Sequence, residues 1–301
     1  MRASVRRRWG GHYRMRNRRT STPWLWPVCA FLFCLACEGA VEAPVLELPP
    51  RPIGAPGGTE IARDLRTLDL RTREERIFAE ISRGNVPSWL RQFERVELRG
   101  QVRGRSHRVE SWVAPDYLAV GSDTDSFLVP LSPQMGQRIA DLVGCSLPTP
   151  KMVDAIWTSA RVRLPPIRIG PDSLMTTVRY FERHDRLVRA QRMAYGVPPG
   201  VFVAGHKLDV VITPTVSANP GQVALYGWHR PDGEPIQPLY TAHADSLVVF
   251  SHGIRLVARG IVVDGAGRDL LEVLSDPDLA PLLSDEGVIQ DPRYPERRKE
   301  P

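Results

Sequence analysis

Cysteine is scarce in this chain: of 301 residues, only Cys29, Cys34, Cys37 and Cys145 carry a thiol. Three of them fall among the first 37 positions, where a leader would be removed, so a disulfide-stapled scaffold is excluded. Cys145 follows a predicted helix and reads as a buried structural thiol rather than a nucleophile. Long apolar runs are missing too. Trp24–Ala36 falls short of the ~20 residues that a spanning helix needs, and no second segment qualifies. There is no internal repeat. Basic charge is lacking where it would matter: the net +6 comes from 40 Lys and Arg against 34 Asp and Glu, but eight arginines and no acid precede Cys37. The remainder holds 32 basic against 34 acidic residues, a net −2. No basic domain is left to argue for nucleic acid.

What is present begins with targeting. A basic n-region, a short apolar core and small residues make a secretory signal over 1–36, to which a start at Met15 would give an ordinary length. Cys34-Leu35-Ala36-Cys37 resembles the lipobox of bacterial lipoproteins, with Cys34 where leucine is usual. The resemblance implies a lipid on Cys37, and hence a secreted lipoprotein anchored to a bilayer in the cell envelope. Ordinary cleavage near Ala40 or Ala43 would instead leave a periplasmic or secreted protein. Residues 37–58 hold five prolines and four glycines, and predict an extended tether.

Beyond it, the pattern predicts a single α+β domain over 59–290, with a sub-boundary near 195–200 and a polar tail over 291–301. The first half reads as helix-rich with a few short strands, over 96–98, 107–113 and 117–120. Thr72-x-x-Glu75 is a capping box closed by Gly84-Asn85. Ser132-Pro133 and Thr149-Pro150 are hydroxyl caps with proline at the first helical position. A longer helix is expected over Ser173–Met193. After Gly200 the pattern turns to β, mostly antiparallel, with strands expected over 201–204, 208–213, 222–228, 247–251, 254–258 and 261–263.

Chemistry concentrates in one stretch. His206 to His252 spans 47 residues and holds four of the seven histidines. On the predicted strands these fall at ends and turns, where a scaffold tends to carry its site. His206, Asp209, His243 and His252 are candidate ligands for zinc or another divalent metal, two imidazoles and a carboxylate leaving a position open to activate water. The set is similar to that of zinc peptidases of the D-Ala-D-Ala/lysostaphin type, which cut peptidoglycan peptides. It departs in its short His206–Asp209 spacing and in lacking a final His-x-His pair.

Ser251-His252-Gly253-Ile254-Arg255-Leu256 resembles the Ser-His-Gly-Cys-Ile/Val-Arg signature of L,D-transpeptidases but omits the cysteine, and without the thiolate no acyl-enzyme forms. Candidate catalytic groups are Ser251, His252, Arg255 and His229. Trp228, Tyr226 and Lys207 are candidates for substrate contact. The reading is an exported, lipid-anchored envelope protein with a metal-assisted, peptidoglycan-directed hydrolase site. Its alternative is a non-catalytic lipoprotein that binds a wall polymer or an envelope protein.

Overall fold

A computed structural model describes residues 43–170 and 172–295. The segment expected to be a secretory signal, the lipidation candidate Cys37 and the end of the expected polar tail lie outside the described residues. The described residues belong to one compact unit, and their fold is α+β. Among the described residues, no helix is long and apolar enough to cross a membrane.

The elements run α1 (Gly58–Leu65), α2 (Leu70–Ser82), β1 (Glu94–Val102), β2 (Arg105–Val113), β3 (Ala119–Gly121), β4 (Ser126–Leu128), α3 (Pro133–Leu142), β5 (Cys145–Ser146), α4 (Pro150–Ser159), β6 (Val162–Arg163) and α5 (Val178–Ala194). They continue with β7 (Val203–Ala204), β8 (Leu208–Val211), α6 (Pro214–Ala218), β9 (Gln222–His229), β10 (Pro235–Ala244), β11 (His252–Gly253), β12 (Val257–Ala258), β13 (Gly260–Val263), β14 (Ala266–Asp269) and α7 (Leu270–Ser275). Helix and strand are thus mixed along the chain. The long β1–β2 hairpin makes the first half less helix-rich than expected, α5 lies in that half where a helix is expected, and α6 falls among the strands of the second half.

One sheet has the order β14-β13-β2-β12-β5, with β1 added to β2; the other has the order β10-β9-β8-β11. Most pairings are antiparallel, but β11 runs parallel to β8, with His252 opposite Leu208 and Gly253 opposite Asp209. A shared apolar core joins the two sheets. Val113, Leu118, Val210, Ile254 and Leu256 all belong to it.

Local chemistry accounts for most helix starts. Ser132 and Thr149 accept from the backbone N–H groups of Met135 and Met152, and each is followed by proline, so α3 and α4 begin where expected. α2 begins earlier, because Asp69 rather than Thr72 is its cap and accepts from Thr72 N at 3.0 Å. α5 starts at Val178 because Asp172–Leu174 is a separate 3-10 turn. The stretch 247–251 is not a strand. β10, which the sequence reading left as turn and loop, is one. Pro235 and Pro238 argue against an interior strand, but β10 sits at a sheet edge, where a missing N–H is tolerated.

The tether is shorter than expected. Leu46 is buried, and its N–H donates to Arg91 O at 3.0 Å. Arg91 donates to the carbonyls of Leu48, Pro49 and Gly84. Arg51 donates to Asn85 Oδ1 and to the Ala55 and Pro56 carbonyls. A proline-rich segment has few N–H groups to build a ladder but keeps its carbonyls. Two guanidiniums satisfy those carbonyls and bind the segment to the domain.

Candidate functional site

The parallel pairing of β8 with β11 lays Gly205-His206-Lys207-Leu208-Asp209 beside Ser251-His252-Gly253-Ile254-Arg255. The two stretches singled out in the sequence therefore meet, but inside the protein. His206, Lys207, Asp209, Ser251, His252 and Arg255 are each at most 5% exposed.

Inside, most of the polar ends are taken. Arg255 donates from Nη1 to Ala114 O at 2.9 Å and from Nη2 to Val203 O at 2.8 Å, and its guanidinium lies 4.2 Å from the Tyr117 ring centroid. Lys207 Nζ donates to Phe250 O at 2.6 Å. The Tyr117 hydroxyl donates to Asp209 Oδ2 at 2.8 Å. Asp116 pairs with Arg192 and lies 3.3 Å from His206 Nε2, while the His206 ring meets Tyr117 edge-on at 5.0 Å. Arg255 and Lys207 are thus internal braces rather than clamps for a substrate. Gly253 is part of the same packing. An added Cβ would come within 2.5 Å of Tyr117 Cδ1 and 2.9 Å of Lys207 Cβ. The glycine admits the Tyr117 ring, which in turn reaches Asp209.

Burial sets the protonation of this interior. It pushes His252 down to about 3, helped by the nearby Lys207 ammonium, and His206 down to about 4 against the pull of Asp116. Lys207 falls to about 8 through burial, partly offset by Asp185 and Asp116. Burial alone would raise Asp116, but Arg192, His206 and Arg255 outweigh it and hold its carboxyl well below the usual range. Asp209 moves the other way, up to about 6 by burial, against Arg255 and the Tyr117 hydrogen bond. His206 Nδ1, both nitrogens of His252 and Asp209 Oδ1 have no protein partner.

Another cluster forms where β9 ends. Gly227 has φ 102° and Trp228 φ 56°. A bulky residue in the left-handed region costs about 1–3 kcal/mol and persists only where its surroundings over-determine it. The kink turns Trp228 inward, 7% exposed, with Nε1 donating to His206 O at 3.3 Å. It turns His229 toward α4, where Nε2 is 2.9 Å from Asp154 Oδ1. The Tyr226 hydroxyl donates to the same carboxylate, at 2.9 and 3.0 Å from its two oxygens. The His229 ring stacks on Trp157 at 5.6 Å, and the Arg163 guanidinium lies 4.5 Å from the Trp157 ring centroid. The Asp154 side chain is 52% exposed, so this cluster meets solvent.

Of the expected residues, the structure joins His206, Lys207, Asp209, His252 and Arg255 in the interior and places Tyr226 and His229 together at the rim. Ser251 contributes its carbonyl, which accepts from Leu208 N at 2.7 Å. His243 lies on β10 against Tyr240, with ring centroids 4.8 Å apart. Among the described residues, no three His, Cys, Asp or Glu side chains are arranged to hold a metal ion. Asp154, Tyr117, Asp116 and Arg192 were not foreseen. Asp154 sits on the outer flank of an ordinary amphipathic helix, and its partners are 72 and 75 residues away, so no local spacing marks it. Comparison of the chain with known family models, curated proteins and solved structures finds no match.

Proposed function

We propose that this chain is an exported protein, lipid-anchored through Cys37, that binds a cell-envelope polymer at the rim cluster of Asp154, Tyr226 and His229. The observation carrying this reading is the division of the polar residues. At the β8–β11 junction Arg255 and Lys207 are spent on internal carbonyls and His252 is shut away from solvent, whereas Asp154 presents a half-exposed carboxylate ordered by a phenol and an imidazole. A strained Trp228 beside the cluster fits a site held in shape by its surroundings. Peptidoglycan peptide is the polymer component proposed. With a lipid on Cys37, the eight residues 38–45 would span at most about 29 Å, which would hold the domain near the membrane surface.

Sedimentation of the full chain with purified peptidoglycan tests this directly. Co-sedimentation that Asp154→Asn and His229→Gln abolish is expected; binding that survives both changes overturns the assignment of the rim.

One observation favours a hydrolytic second reading. Asp209 keeps one carboxylate oxygen without a protein partner, and burial pushes its pKa up to about 6, near the value a general acid needs. On that reading Asp209 would protonate a leaving group while the His229–Asp154 pair orients water. Release of soluble muropeptides by the full chain, lost in Asp209→Asn, would select it over plain binding. Near-stoichiometric zinc in the purified protein, lost in His206→Ala and His252→Ala, would select the metal-assisted form instead.

A further inference from the structure

We infer that the rim cluster recognises a primary ammonium group carried by a peptide, with the exposed carboxylates above Asp209 as its acceptors. The inference rests on the binding reading above and names the chemistry of its ligand.

Three acids from separate parts of the chain bear on the Tyr226 phenol. Asp154 comes from α4, Glu234 from the turn between β9 and β10, and Glu286 from the segment after α7. Tyr226 feels all three: burial first, then Asp154, Glu286 and Glu234, raise its phenol. Glu286 is raised by partial burial and by the charges of Asp285 and Asp154. Asp285 is already paired with Lys151 at 2.8 Å. His229 is the imidazole facing this group, and its Nε2 is engaged with Asp154.

An observation of another kind points into the same place. Asp209 stands directly across the strand pair from Tyr226, so the two side chains share one face of the sheet. It is 3% exposed, its Oδ2 holds the Tyr117 hydroxyl, and its Oδ1 has no protein partner. The charges of His229 and Asp154 both act on it, which sets it beneath the rim. A buried carboxylate oxygen left without a donor is costly, and a bound ammonium would supply that donor.

Among the described residues, no group of three acidic, imidazole or thiol side chains is arranged to hold a metal ion. An ammonium on a flexible stem carries three rotatable donors and accepts a looser arrangement of oxygens.

Calorimetric titration of the full chain with N-terminally acetylated Ala-Glu-Lys and with the same peptide acetylated on Nε as well tests the inference, with calcium chloride alone as a separate arm. The peptide with the free Nε amine is expected to bind at least about tenfold more tightly than the doubly acetylated one, since a charge-assisted hydrogen bond is lost. Asp154→Asn and Glu286→Gln should each remove most of that difference, and Glu60→Gln on α1 should leave it intact. Equal affinity for the two peptides, or a difference untouched by Asp154→Asn, overturns the inference. So does Asp154-dependent calcium binding without amine binding, which would make the site a metal-cation site. Peptidoglycan binding without amine preference would sink this inference and leave the proposed function standing. Amine binding without peptidoglycan binding would do the reverse.

Discussion

The interior junction, on β8 and β11, and the rim, on the neighbouring strand β9 and on α4, treat charge in opposite ways. At the junction, Arg255 is wholly buried and both its Nη atoms donate to backbone carbonyls. At the rim, Asp154 is half-exposed and is held by two side chains that themselves pack against aromatic rings. The difference teaches that a dense run of polar residues in a sequence need not be a site. Its members can be consumed as braces where sheet and loop meet, while the chemistry facing solvent sits one strand away. Removing a brace should therefore unfold the protein, and removing a rim group should leave it folded but idle.

Arg255→Ala should produce the largest effect. It leaves the carbonyls of Ala114 and Val203 without donors, strips the cation from the Tyr117 ring and removes a charge that holds Asp116 ionised. Breaking a buried, hydrogen-bonded charge of this kind costs about 3–5 kcal/mol. Urea denaturation should show a midpoint shift of that size or no folded protein at all. A loss below about 1 kcal/mol, typical of exposed pairs, would place Arg255 with the rim and erase the contrast.

Acid should act on the interior next. His206 and His252 have folded-state values lowered to about 4 and about 3 from 6.5. A histidine lowered in this way is neutral when folded and charged when unfolded below pH 6.5, so stability falls as pH drops through that window. Between pH 7 and pH 5 each imidazole should cost on the order of 2 kcal/mol. Asp209 opposes them. Its folded value, raised to about 6 from 3.8, lets the folded state take up a proton first, so its contribution grows as pH falls through 6. His184, buried and lowered to about 2, joins them in the same window, and three imidazoles against the raised carboxylates of Asp209 and Asp185 leave a net loss, measurable as a falling urea midpoint. In His252→Gln the slope of that fall should be shallower; an unchanged slope would mean that His252 is not among the buried groups that titrate.

Gly253→Ala is expected to cost about 1–3 kcal/mol, the usual range for overpacking a filled core, because the new Cβ meets the Tyr117 ring. Thermal unfolding beside Gly267→Ala, which meets nothing within 4 Å, isolates the clash from the general effect of replacing glycine. Equal melting temperatures for the two variants would show that the ring can yield, and that Gly253 does not set the Tyr117–Asp209 contact.

Elements whose signals are local were legible in the sequence. Serine or threonine followed by proline marked α3 and α4, and the β8 and β9 strands showed in their apolar alternation. The edge strand β10 was not legible, because its prolines imitate a loop. The meeting of Gly205–Asp209 with Ser251–Arg255 was suspected from the density of histidines, but its parallel register was not. Nor could burial be read from the letters: Lys207 and Arg255 look like surface cations until the carbonyls that receive them are in view. Asp154 is the plainest case, because nothing near it in the chain separates it from any solvated helix acid. Its role depends on a kink at Gly227 and Trp228 that brings His229 across to α4.

That kink makes Asp154→Asn the sharpest of the comparisons, although its effect on stability should be the smallest. An asparagine keeps the side chain's shape and can still accept from the Tyr226 hydroxyl and His229, but carries no charge. Because the carboxylate is half-exposed, the change in stability should stay within about 1 kcal/mol. Binding, by contrast, should fall steeply, since the charge is what an ammonium would recognise. Chemical denaturation and peptide titration of the same preparation give the two numbers side by side. A variant as unstable as Arg255→Ala would turn the rim into one more brace. A variant as stable as the parent and equally able to bind would leave the Trp228 strain without a purpose at this site.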